Sequence, residues 1–183
     1  MIIDKSWTLF LDRDGVINEE ILGSYVTSKE EFRFLDGVER SMNALSKLFG
    51  TIVVVTNQRG VGREIMTLEA LKEINAHMIA GIKQAGGRID KVYNATSLHD
   101  NDHNRKPNTG MGLQAKEDFA HIDFKRSIMV GNSMSDMEFG KRLGMHTVFL
   151  NTKVAPLPLP HDLIDEQYPS LMAWEQSLES VMV

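Results

Sequence analysis

The chain of 183 residues contains no cysteine. That excludes disulfides, thiolate zinc sites, iron–sulfur clusters and cysteine nucleophiles together. Proline is scarce, and three of the five, Pro156, Pro158 and Pro160, fall in one stretch that is expected to be extended. Basic residues are not in excess. The formal net charge is −5, which argues against a nucleic-acid partner, since such domains concentrate Lys and Arg. No segment reaches the ~18 apolar residues needed to span a bilayer, so no membrane partner is expected. Met1–Ser6 lacks the basic-then-apolar order of a signal peptide, and the cytoplasm is the expected compartment.

What is present is ordinary for a globular chain: 42% hydrophobic and 25% charged residues. One domain over residues 1–183 is expected, with a core at about 7–152 and a C-terminal extension over 153–183. Short β-like runs alternate with helical periods. Trp7–Leu11 is an apolar run stopped by Asp12-Arg13-Asp14-Gly15. Val38, Met42, Leu45 and Leu48 repeat at helical spacing, with Gly50 placed as a C-terminal cap. Ile52–Val55 reads as a strand buried on both faces. Thr67 is placed to cap a helix with an apolar stripe at Leu68, Leu71, Ile74, Met78 and Ile82, ended by Gly86-Gly87. Further strands are expected at Val92–Ala95, Ser127–Val130 and Thr147–Leu150, with helices near Gly112–Phe119, Ser135–Leu143 and Leu171–Leu178. This alternation implies a parallel sheet with right-handed crossovers.

Ligands of an open α/β sheet bind beyond the carboxyl ends of its strands. After the first strand come Asp12, Arg13, Asp14 and Gly15; after the second, Thr56-Asn57-Gln58-Arg59-Gly60. Arg105-Lys106-Pro107 follow the third at a distance, and Gly131-Asn132-Ser133-Met134-Ser135-Asp136 follow the fourth. Each set alone reads equally well as a turn, a helix cap or a solvated charge pair, with Ser135 as a cap in the last. Together they bring carboxylates, a hydroxyl and a lysine to one rim. Carboxylates without thiolates suit a hard cation such as Mg²⁺. An aspartate can attack phosphorus to give an aspartyl-phosphate. The like-charge repulsion in that attack is roughly 4 kcal/mol at 4 Å for an effective dielectric near 20, and a cation and a lysine would offset it. A second carboxyl two residues on can protonate the leaving oxygen and then deprotonate water.

These residues resemble the haloacid dehalogenase superfamily. Phe10-Leu11-Asp12-Arg13-Asp14-Gly15, Val55-Thr56-Asn57-Gln58 and Arg105-Lys106-Pro107 are similar to its capless subgroup of D-glycero-D-manno-heptose-1,7-bisphosphate phosphatases and histidinol-phosphatase relatives. The likeness runs from about Leu9 to Leu150. It implies a three-layer Rossmann-like parallel sheet of about five strands, with helices on both faces and no large cap domain. It also implies an Mg²⁺-dependent phosphomonoesterase acting on a small phosphorylated metabolite, a sugar phosphate or bisphosphate such as heptose 1,7-bisphosphate.

By the same resemblance Asp12 is the nucleophile and a metal ligand. Asp14 is the general acid/base and a metal ligand through its carbonyl. Thr56 and Asn57 bind the phosphoryl group, and Lys106 neutralises it and Asp12. Gln58 and Arg105 contact the rest of the substrate. Asn18–Phe34 forms a short flap, and Ser97–Asn104 shapes the pocket.

Asn132 stands where the fourth motif carries a metal-binding aspartate, leaving Asp136 to supply a carboxylate directly or through water, and Ser133 stands where a lysine often follows. The cysteine-rich zinc loop of the subgroup is missing. His99 and His103, with Asp100 and Asp102, read either as a metal site or as a polar loop. Arg59 and Arg63 read either as solvated or as contacts for a second anionic group. The alternatives left open are a histidinol-phosphate-type phosphatase, a non-catalytic ligand-binding member, and transfer to an acceptor other than water. A monomer or small homo-oligomer is expected.

Overall fold

The computed structural model describes residues 2–179. The elements run β1 (Thr8–Leu11), α1 (Val38–Leu48), β2 (Thr51–Asn57), α2 (Arg59–Gly62), α3 (Leu68–Gln84), β3 (Lys91–Ala95), α4 (Gly110–Asp118), β4 (Ser127–Gly131), α5 (Met134–Leu143), β5 (His146–Leu150), β6 (Glu166–Tyr168) and α6 (Leu171–Glu179). All six strands pair in parallel, in the order β3-β2-β1-β4-β5-β6. The sheet therefore has six strands rather than about five.

Alternate residues of each strand face opposite layers. Leu9, Leu11, Ile52, Val54, Ile128 and Val130 join Val38, Met42 and Leu45 of α1 and the apolar stripe of α3 in one buried cluster. Phe10, Val53, Val55 and Met129 pack on the other face with Met111 and Ala115 of α4 and Phe139 of α5. The central strands are buried on both faces, which is why they read as continuous apolar runs.

Most local signals hold, and three exceptions bear on the layers of the fold. Thr67 caps α3 by accepting from the Ala70 amide at 3.0 Å. Leu68, however, is 45% exposed and lies outside the stripe. Helix α1 ends on Phe49 in an extended conformation, so Gly50 is not its cap. The third exception is β6, three half-buried residues too short to show a period. The segment past residue 152 supplies this edge strand and α6, whose Trp174 is fully buried against Phe49 with ring centroids 6.3 Å apart.

Residues 18–34 form a flap without helix or strand of its own beyond isolated bridges. Its two ends are stitched together by Glu19 N–H to the Arg33 carbonyl (2.8 Å) and Leu35 N–H to the Ile17 carbonyl (3.0 Å). Val26 and Phe32 anchor it in the core. Among the described residues no helix is long and apolar enough to cross a membrane.

Candidate active site

Strand β1 lies between β2 and β4, so the connections leave it in opposite directions and open a crevice at its carboxyl end. A cavity of about 250 Å³ opens there, a size suited to a small metabolite. Asp12 and Asp14 enter from the end of β1, Asn57 from β2, Arg105 and Lys106 from the loop after β3, Asn132 from the end of β4 and Asp136 from the first turn of α5. Tyr25 and Glu20 of the flap and Lys153 complete the wall.

The turn after β1 is compact. The Arg13 carbonyl accepts from the amides of Val16, Ile17 and Asn18 at 3.2, 2.8 and 3.3 Å. Gly15 has φ +80°, and a Cβ there would overlap the Asn132 side-chain amide. Only glycine satisfies both the left-handed backbone and this close approach. The turn thereby brings the first and fourth motifs together.

Lys106 is the hub. Its ammonium donates to Asp12 Oδ1 at 2.9 Å, Asp136 Oδ1 at 2.6 Å and the Val55 carbonyl at 2.7 Å, which engages all three N–H bonds. Its side chain is 1% exposed. Burial opposes its charge, but Asp12 and Asp136 outweigh burial and raise its pKa. Asn57 fixes the backbone of Lys106 from both sides. It donates to the Lys106 carbonyl and accepts from its amide, each at 3.0 Å.

Burial, then the nearby Asp136 charge, pushes Asp12 up to about 7, against the pull of Lys106. The lysine stands closer to Asp136 Oδ1 (2.6 Å) than to Asp12 Oδ1 (2.9 Å), and the other Asp136 oxygen is engaged as well. Asp136 Oδ2 accepts from the amides of Asn132 (3.1 Å) and Ser133 (3.0 Å) and from Ser133 Oγ (2.7 Å). The Ser133 amide contact, with the Asp136 amide donating back to Ser133 Oγ at 3.4 Å, forms a capping box at the start of α5, with Ser133 as the cap rather than Ser135.

Asp14 is clamped as an anion. Arg13, itself fully buried, donates to both Asp14 oxygens at 3.0 and 3.2 Å and is steadied by Asn75 Oδ1 at 3.2 Å. Asn18 adds 2.9 Å and Gln58 2.7 Å. Burial raises the Asp14 pKa, but Arg13 and the hydrogen bonds more than offset it, and the net shift is downward.

Several expectations change. Gln58, expected to contact substrate, is fully buried, bonds Asp14 and Thr56 Oγ1 (2.8 Å) and does not line the cavity. Thr56 is itself 1% exposed. Asp136, expected among the metal ligands, has both oxygens engaged by the lysine and the α5 turn. Arg59 joins Arg105 at a common partner, Asp100, whereas Arg63 is exposed. His99 and His103 are also exposed, and Asp100 and Asp102 are taken up by the two arginines and by the Asn104 amide. The loop is thus a polar loop and gathers no ligand set. Arg13, Asn18 and Asn75 were missing from the expected site. Asn75 carried a readable signal, a polar residue interrupting the apolar stripe of α3.

Whether a divalent cation fits can be judged from the donors. Asn132 Nδ2 donates to Thr152 Oγ1 at 3.1 Å, while its buried Oδ1 has no hydrogen-bond partner. An orphaned buried oxygen calls for a ligand or an ion. It lines the same cavity as Asp12 and Asp14, giving an all-oxygen set suited to a hard cation.

A parallel sheet with paired carboxylates after its first strand and a buried lysine between aspartates is the architecture of the haloacid dehalogenase-like phosphatases. The family model for polynucleotide kinase 3 phosphatase matches residues 9–149. The chain is 36% identical over 154 residues to the D-glycero-alpha-D-manno-heptose-1,7-bisphosphate 7-phosphatase of Burkholderia mallei, covering 80% of each chain. It is 30% identical over 162 residues to the D-glycero-D-manno-heptose-1,7-bisphosphate 7-phosphatase of Chlorobaculum tepidum, covering 82% of this chain and 81% of that one. In fold it matches the D,D-heptose 1,7-bisphosphate phosphatase of B. bronchiseptica, crystallised with magnesium and phosphate. That match has a TM-score of 0.83 at 24% identity and covers 96% of this chain and 99% of the other. The chain belongs to the heptose-bisphosphate phosphatase family of haloacid dehalogenase-like phosphatases.

Proposed function

We propose that the chain is an Mg²⁺-dependent phosphomonoesterase that removes one phosphate from a sugar bisphosphate, with D-glycero-D-manno-heptose 1,7-bisphosphate as the substrate its relatives point to. The observation that carries this reading is the Lys106 ammonium held between Asp12 and Asp136 at the cavity floor. Binding alone does not call for a fixed cation beside a carboxylate that must approach a phosphate.

In this reading Asp12 Oδ2 attacks phosphorus while Lys106 holds Oδ1. The Asp12 O–P bond forms and the P–O bond to the sugar breaks. Asp14 gives a proton to the leaving oxygen, then takes one from the water whose oxygen attacks the aspartyl-phosphate. Asp14 is ionised in the free protein, so a dianionic phosphate beside it is what raises its proton affinity. The N–H bonds of Lys106 are all engaged, so it acts on the phosphate through its charge. Asp12, the Asp14 carbonyl and Asn132 Oδ1 would hold Mg²⁺, which when bound neutralises phosphate charge and aligns it for attack.

Phosphate release from a panel of sugar mono- and bisphosphates, with Mg²⁺ and with chelator, tests the proposal. Mg²⁺-dependent release, fastest from heptose 1,7-bisphosphate, is expected; release that ignores chelator would overturn it. Arg59→Ala is expected to lower kcat/KM on the bisphosphate by about 10- to 100-fold, the worth of a charged hydrogen bond, with a smaller loss on a monophosphate. Equal losses would remove Arg59 from substrate binding.

Asn132 also makes a prediction. It contributes an oxygen without a charge, and cation affinity rises with ligand charge. Asn132→Asp is expected to tighten Mg²⁺ by about tenfold in calorimetry, an effect of the size one added partly screened charge can give. Unchanged affinity would place Asn132 outside the cation site.

A further inference from the structure

Arg59 leads α2 and Arg105 lies on the loop before α4, yet both donate to one atom, Asp100 Oδ1. The Arg105 contact is 3.3 Å, and Arg59 is in direct contact with the same oxygen. The exposures are unequal. Each arginine side chain is 19% exposed, but that of Asp100 is 87% exposed. Arg59 Nε and Arg105 Nη1 are buried without a hydrogen-bond partner. One carboxylate therefore holds two guanidiniums side by side, offsets only half their charge and leaves N–H bonds unmet. A phosphate dianion has both the charge and the oxygens for two such forks.

We propose that Asp100 is a specificity-determining residue that occupies the Arg59–Arg105 pair in the free protein and competes there with the second anionic group of the substrate. This rests on the reading above that the substrate is a sugar bisphosphate with Arg59 binding its second phosphate, and it adds Arg105 to that contact. Only a dianion outcompetes the resident carboxylate. A hydroxyl or a single carboxylate on the sugar gains no more from the arginines than Asp100 already does, so such ligands are discriminated against. Release is easy, because Asp100 stands in water and exposed ion pairs are weak. The backbone need not move: Asn108 Nδ2 tethers the carbonyls of Asp100 and Asp102 at 3.3 and 2.8 Å, so the exchange is a swing of one side chain.

The test is calorimetry in an Asp12→Asn background, where nothing turns over, with heptose 1,7-bisphosphate and heptose 7-phosphate as probes. Asp100→Asn is expected to lower the Kd of the bisphosphate about twofold to fivefold, the range of an exposed ion pair. The ratio of the two Kd values should shift by a similar factor. Asp100→Glu, which keeps the competing charge, should shift that ratio less. A weaker or unchanged bisphosphate affinity in Asp100→Asn overturns the proposal, the weaker case making Asp100 a positioning residue. A parent protein that binds both sugars equally removes the arginine subsite and this proposal with it. An unchanged ratio in a parent that prefers the bisphosphate removes this proposal alone.

Discussion

Asp12→Asn is expected to abolish Mg²⁺-dependent phosphate release, with a fall in kcat on the order of 10³-fold or more, while the protein remains folded and no less heat-stable. The two halves have one cause. The side chain is only 14% exposed and faces another carboxylate across a shared lysine. Burial and Asp136 raise its pKa to about 7, so in the cation-free protein its charged form is disfavoured. The sign follows. A carboxyl whose folded pKa lies above its unfolded value near 3.9 adds stability at low pH and loses it as pH rises through about 7. Wild-type protein in chelator should therefore lose stability between about pH 4 and 7, with little further loss by pH 8, and Asp12→Asn should lose less, because the amide has nothing to ionise. The loss of activity follows from the missing nucleophile. Thermal melts across this range, beside a phosphate-release assay, read out the two halves. Residual turnover above about 1% of wild type would remove Asp12 from its role. A Tm well below wild type at pH 8 would show that Asp12 is a structural anion instead.

The convergence of Asp12, Asp14, Asn57, Arg105, Lys106 and Asp136 on one cavity was legible because it depends on local grammar. A run such as Thr51–Asn57, buried over nearly its whole length, announces a central strand, and polar residues straight after it mark the rim. Thr67 likewise signals its helix start through a bond only three residues long. What could not be read is the clamp on Asp14. Arg13 reaches Asn75, 62 residues away, and Gln58 reaches Asp14 across 44. Nothing local to Gln58 distinguishes a side chain turned inward from one turned toward a ligand. The same limit explains Asp136. A carboxylate in the fourth motif suggests a cation ligand, but Ser133 three residues earlier also makes it half of a capping box, and both tasks share one spacing. The edge strand β6 escaped for a different reason: three half-buried residues carry too little periodicity to be told from a loop.

Lys106→Met should be the most destabilising single change at this site, by about 3–5 kcal/mol, because it strips the counter-charge from two buried carboxylates. Methionine matches the length of lysine and fills the same channel, so the loss reports charge rather than a cavity. For a chain of this size, that corresponds to a fall in Tm of roughly 6–20 °C. The pH dependence identifies the cause. In wild type the raised Lys106 pKa adds stability that is present at all pH below its unfolded value near 10.4 and is lost only above it. In the variant, Asp12 and Asp136 face each other unpaired. Burial and the Asp136 charge then oppose ionisation of Asp12 with no lysine to offset them, and stability falls as pH climbs from 5 toward 8. Adding Asp12→Asn to Lys106→Met removes one of the two stranded charges and should recover a large part of the loss, which a purely steric defect would not allow. Lys106→Arg should fail to rescue, because a planar guanidinium cannot place three donors on Asp12, Asp136 and the Val55 carbonyl from a side chain that is 1% exposed. Melts of the three variants at pH 5.5 and 8 decide the matter. A Lys106→Met protein with an unshifted Tm at both values would mean that the carboxylates do not need the lysine, and the charge balance drawn for the cavity floor would be wrong.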